Sequence, residues 1–128
     1  VGRLGQGGPD EVSRKYQRLN VWRGAMDLAE KIYLITQDFP DEERFGLSQQ
    51  MRRASVSVAS NIAEGSGRGT DKDFVHFLYI ARGSLQELET QLFLSSRLAF
   101  QDELEKLNQD VDRIYAMLSN LIQALKSA

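Results

Sequence analysis

A chain of 128 residues fits one domain with enough interior to bury a core. Its 41% hydrophobic and 27% charged residues are ordinary for a globular protein, and the lack of cysteine excludes disulfides and thiolate metal sites. A net charge of −2 argues against indiscriminate coating of nucleic acid; no apolar run approaches the roughly 18 residues that span a bilayer, so a cytoplasmic setting without a membrane partner is expected.

Residues 1–18 hold four glycines, a proline and no apolar period, and are expected to form a flexible N-terminal tail ahead of a domain over 19–128. Trp22, Ala25, Ala29, Ile32 and Thr36 then follow 3–4–3–4 spacing, with Leu28, Ile35 and Phe39 alongside. That pattern predicts an amphipathic helix ending at Phe39-Pro40, because the residue before a proline avoids helical backbone. After the acidic turn PDEERFG, a second stripe runs through Leu47, Met51, Ala54, Val58 and Ile62. Its centre, RASVSVAS, alternates like a strand, but the stripe continues past it on both sides at helical spacing. Ala54, Ser55, Ala59 and Ser60 are small enough to let a neighbouring helix come close.

The stretch SNIAEGSGRGTDKDF, residues 60–74, has the glycines of a phosphate-binding loop but not its context. A dinucleotide fingerprint needs a strand before the glycines, and a P-loop needs a Lys-Ser/Thr pair at fixed spacing. The expected reading is a connection between helices: Gly65 ends the second helix at positive φ, and Thr70 caps a third whose first turn carries Asp71 and Asp73. Arg68, Lys72 and the N–H groups opening that helix could hold a lone phosphate.

The third segment repeats Phe74, Leu78, Ala81, Leu85, Leu88, Leu92 and Ser95; the fourth repeats Leu104, Leu107, Val111, Ile114, Leu118, Leu121 and Leu125. Sustained 3–4 spacing marks helices packed at shallow angles, and short links imply antiparallel neighbours. The predicted fold is all-α: an antiparallel up-down four-helix bundle, two shorter helices followed by two longer ones. Phe77, Ile80, Phe93, Leu94, Phe100, Tyr115, Met117 and Ile122 lie off these seams. Part of them widens the core, and the rest predict a second contact surface and hence a homo-oligomer.

Candidate chemistry is sparse. With His76 the one histidine, the paired Glu-x-x-His motifs of a di-iron bundle cannot form. No Ser sits in a strand-to-helix elbow, so no triad is predicted. The expectation is a protein without catalytic residues, metal, cofactor or small-molecule substrate. Charge is uneven: residues 44–82 carry six Lys/Arg against three Asp/Glu, and residues 83–128 carry seven acids against four bases. The cluster of Arg52, Arg53, Arg68, Lys72 and Arg82 has two readings. The cations either form ion pairs with Glu64, Glu87 and Glu89, or they contact phosphates. Arg53, near the core edge, is the expected structural partner, and Arg68, beside three glycines and a helix start, the expected anion contact.

Three blocks, LNVWRGAMDLAEKIY, FPDEERFGLSQQMRRASVSVASNIAEGSGR and DFVHFLYIARGSLQELETQL, stand in the order found in a known family. From about Leu19 to Ser119 the chain resembles the four-helix proteins encoded in intervening sequences of bacterial large-subunit ribosomal RNA genes. The resemblance implies an antiparallel bundle, a ring of five subunits and no known catalytic activity. Related bundle proteins are accessory subunits of retroelement reverse transcriptases, where a basic ring surface contacts nucleic acid; the matching positions here are Arg52, Arg53 and Arg68. The isoelectric point near 5.4 departs from those relatives. The expected function is an oligomeric scaffold that contacts RNA or an RNA-handling protein; the alternative is a protein adaptor whose arginines are structural.

Overall fold

The computed structural model describes residues 14–128. Four helices carry the fold: α1 (Asn20–Thr36), α2 (Leu47–Ser66), α3 (Asp71–Arg97) and α4 (Leu104–Ser127). Each packs against two neighbours, in the order α1–α2–α3–α4 and back to α1. Side-chain pairs show that the neighbours run antiparallel. Ser57 meets Ser84 while Gly65 meets Phe77, and Tyr79 meets Lys126 while Arg82 meets Ser119. No described helix is long and apolar enough to cross a membrane. Most of the expected tail lies outside the described residues. Its last part, Lys15–Arg18, is a 3-10 turn that packs on α1 and α2, with Tyr16 edge-on to Trp22 at 5.2 Å.

The four stripes read from the sequence form one core. Ile32, Met51, Ile62, Leu78, Leu85, Leu88, Leu92 and Leu118 have no measurable exposure. RASVSVAS lies inside α2, where Ala54, Ser55, Val58 and Ala59 face inward and Val56 outward. Helical period outweighs local β-preference here because half of an alternating set would have been left in water.

The helix ends show how the links work. α1 stops at Thr36, short of Phe39, whose N–H bonds back to the Thr36 carbonyl. Phe39 then turns into the core, 5.5 Å from Phe100, and plugs one end of the bundle. α2 starts on Gly46, which has no side chain to cap with; the Glu43 carboxylate accepts from the Leu47 N–H at 3.0 Å instead. At α3 the Thr70 hydroxyl accepts from the Asp73 N–H at 3.1 Å, with Asp71 and Asp73 in the positive first turn. The α3 C-terminus is a Schellman closure: Phe100 N–H bonds to the Ser95 carbonyl and Ala99 N–H to that of Ser96. Ala99 takes the left-handed conformation, φ 62°, that such a closure requires. Gln101 ties this turn down. Its amide donates to Leu92 O and Ser95 Oγ, and its carbonyl accepts from Glu103 N–H.

Gly65 is not a helix cap, contrary to the sequence expectation. The helix runs through it to Ser66, and the cap is Gly67 at φ −85°. Gly65 is glycine because α3 comes close: a Cβ there would lie 2.7 Å from Phe77 Cβ and 3.0 Å from a Phe74 ring carbon. A Cβ at Gly67 would meet nothing nearer than a carbonyl oxygen at 3.6 Å.

Two substitutions separate these roles. Gly65→Ala forces α2 from α3 and is expected to cost about 1–3 kcal/mol, as overpacking does, while Gly67→Ala stays within about 0.5 kcal/mol. Equal losses in denaturant unfolding would overturn the close-packing role. Ala99→Gly relieves a left-handed residue with a Cβ and is expected to raise stability by up to about 1 kcal/mol; a loss would show that the turn carries no strain.

Candidate functional site

The basic residues singled out in sequence do not converge. Arg52 and Arg68 stand near opposite ends of α2, whose 20 residues span roughly 30 Å. Arg52 is half-buried and structural. Its Nε–H donates to Thr36 Oγ1 at 2.8 Å, an Nη–H reaches the Tyr33 carbonyl at 3.4 Å, and its plane lies 4.7 Å over the Tyr33 ring. It therefore closes the C-terminal turn of α1, where carbonyls lack helical donors and the dipole favours a cation. Arg53, expected to be the paired one, is exposed and forms no hydrogen bond or ion pair among the described residues. The assignment reverses because α1 offers acceptors on the side of α2 that Arg52 faces, and Arg53 points about 100° away.

Arg68 is already engaged. Its guanidinium bonds Glu64 at 2.6 Å and stacks 4.7 Å from the Phe77 ring. Both partners are about half exposed, so the pair adds little stability, but an anion would have to compete with Glu64 for the guanidinium. Lys72 is exposed, makes no ion pair among the described residues, and borders a shallow groove with Asp71, Val75, Leu125 and Lys126.

That groove leads to a constellation that the sequence did not disclose, on the α3–α4 face. The Arg82 guanidinium sits between two tyrosines, 5.0 Å from the Tyr79 ring and 5.3 Å from Tyr115, and donates to Ser119 Oγ at 3.0 Å. Lys126 stands 5.9 Å from the centre of the Tyr79 ring and reaches its hydroxyl at 3.4 Å. Tyr79 itself is 42% exposed. Neither Arg82 nor Lys126 is in an ion pair among the described residues. The face thus offers two cations outside any ion pair around a partly exposed tyrosine ring, side chains of the kind that engage phosphates and bases. The spacing carries a trace of it: Tyr79 and Arg82 are three apart on α3, Tyr115 and Ser119 four apart on α4. Charge counted along the chain hides it, because Lys126 belongs to the acidic half.

Other chemistry is thin. His76 is exposed beside Phe77, and among the described residues no three His, Asp or Glu side chains converge as a metal site. A groove of about 920 Å³ is wide open at the far end of the bundle, where Leu34, Ile35, Phe100 and Leu104 lie beside Asp38 and Glu103.

Comparison with known proteins places this architecture. The model of the 23S rRNA-intervening sequence protein family matches residues 17–120. The chain belongs to that family. Among solved structures it is similar to a protein of unknown function from the S23 ribosomal protein family of Bacteroides thetaiotaomicron VPI-5482, determined at 1.70 Å. The two share 26% identity with a TM-score of 0.74, over 80% of this chain and 95% of that one. No curated protein matches the chain. Family membership accords with the three blocks between Leu19 and Leu92, which fall on α1, α2 and α3 with their links.

The reversed arginine roles can be measured. Arg52→Ala removes a half-buried bond network and is expected to cost about 1–2 kcal/mol, against less than about 0.5 kcal/mol for Arg53→Ala. Thermal melting of the two variants checks it, and a larger loss at Arg53 would contradict the assignment.

Proposed function

We propose that this chain is a non-enzymatic, self-assembling cytoplasmic bundle whose α3–α4 face contacts RNA. The observation that carries the RNA half is the pair Arg82 and Lys126 around the exposed ring of Tyr79, with Lys72 one groove away. Phosphates would meet the cations, and an unstacked base would lie on Tyr79, which favours single-stranded over duplex RNA. Self-assembly is supported by exposed apolar side chains that no helix of the bundle covers, among them Leu34 at 61% and Phe45 at 79% exposure. The resemblance suggests a ring of five.

A second reading, a protein adaptor without nucleic-acid binding, draws on Arg52 and Arg68. Both are committed to partners within the chain, so two of the five cations in the predicted cluster are engaged internally.

Binding of single-stranded RNA across a salt series separates the readings. Removing one cation that neutralises a phosphate is expected to flatten the slope of log affinity against log salt by about 0.7. Arg82→Ala and Lys126→Ala should each do so, and Arg53→Ala, on another face, should not. RNA that fails to bind at low salt leaves the adaptor reading in place. Light scattering after size exclusion tests assembly independently: a mass several times 14.5 kDa is expected, and a single-chain mass at micromolar concentration overturns it.

A further inference from the structure

The seam between α1 and α4 opens into a trough at the end of the bundle where α1 stops. The groove of about 920 Å³ lies between the last turn of α1 and the α3–α4 link, and a recess of about 310 Å³ adjoins it along the seam. The two share Leu34, Ile35 and Glu103 and so form one channel. From Lys31 to Asp38 the channel follows about two turns of α1, roughly 10 Å. Its floor is apolar. Leu34 is 61% exposed, Ile35, Phe100 and Leu104 are half-buried, and Leu107 lies buried beneath.

The rim of the larger groove has one sign. Asp38 stands on the α1 side, and Asp102, Glu103 and Glu105 on the side of the link and α4. Among the described residues no Lys or Arg lines that groove. Asp38, Asp102 and Glu105 are in no ion pair among the described residues, and Glu103 has only Lys106, at 4.0 Å. In the recess, Lys31 is already held by Asp110 at 2.7 Å.

This combination selects its occupant. Carboxylates repel phosphates, which rejects nucleic acid and anionic lipid. Among the described residues no three of these acids converge on a metal site. A channel open along its length leaves most of a small molecule in water, whereas it can cover one side of a chain segment. The segment that fits presents apolar side chains to the floor and Lys or Arg to the rim, as a helix laid in a groove does.

We infer that this trough docks a short basic amphipathic helix of another protein. Apolar side chains of that helix cover Leu34, Ile35, Phe100 and Leu104, and its cations meet Asp38, Asp102 and Glu105. The contact goes beyond the RNA reading and does not depend on it. Leu104 and Lys126 stand toward opposite ends of α4, whose 24 residues span roughly 36 Å, so one chain can hold both partners. Leu34 is thereby assigned to a foreign partner, and Phe45, Leu94 and Leu98 stay open to self-assembly.

The probe is a fluorescent synthetic peptide of about four helical turns, leucines on one face and lysines on the other, titrated against the full chain. Micromolar binding is expected, and the same peptide with Glu for every Lys should bind at least about tenfold more weakly. The double variant Asp38→Lys/Asp102→Lys should weaken the lysine peptide at least about tenfold, and Leu34→Ser at least about fivefold. Asp112→Lys, an exposed acid on α4 outside the trough, and Arg82→Ala, on the α3–α4 face, should each change it less than about twofold. Asp38, Asp102, Leu34 and Asp112 are exposed, so melting of these variants should stay near wild type. Failure of the wild-type chain to bind, equal binding of the two peptides, or undiminished binding by the double variant overturns the docking site. If Leu34→Ser instead lowers the mass of the protein in light scattering, a second copy covers the trough and the inference is wrong.

Discussion

The bundle depends on how closely α2 and α3 approach. Gly65 against Phe74 and Phe77, and the hydroxyl pair Ser57–Ser84 further along, hold the two backbones nearer than leucines on both sides would permit. This is the most extensive helix pair in the fold. Its closeness fixes the register of the glycine-containing link and places Thr70 at the start of α3. It also sets which side chains of α3 turn inward. With α3 seated, Leu78, Leu85, Leu88 and Leu92 close the centre, and α1 and α4 complete the wall.

Helix period is legible in the sequence because each helix buries a continuous row, and such a row cannot be satisfied by strand geometry. The start of α3 is legible too, since Thr70 and its acids act within one turn. Gly65 is not. Beside Gly67 and Gly69 it looks like part of a flexible link, and the reason for it is Phe77, twelve residues away on another helix. Phe39 falls on the period of α1 and so reads as helix, but the same residue fills the bundle end better after a turn.

Charged residues are the least legible. Whether an arginine is structural depends on acceptors in other elements, and Arg52 finds them at the exposed carbonyl end of α1. Nothing in the spacing of α2 marks that end. The α3–α4 tyrosine–cation face escapes for a related reason: a face is assembled from two helices, whereas a charge count follows the chain. The surfaces therefore divide by neighbour: the α1–α2 side uses its arginine internally, and the α3–α4 side gathers Arg82 and Lys126 around Tyr79.

The remaining seam, α1 against α4, has the least extensive packing of the four. Gly24 leaves only the ends of Met117 and Ile114 against α1, and a polar bond across the seam runs from Lys31 to Asp110, which Arg113 also holds. Opening this seam breaks the least extensive helix packing in the bundle, so local fluctuation of the native state is expected to begin there. Amide hydrogens along the edges of α1 and α4 would then exchange with solvent well before those of α2 and α3, which stay together as the slow-exchanging half of the molecule.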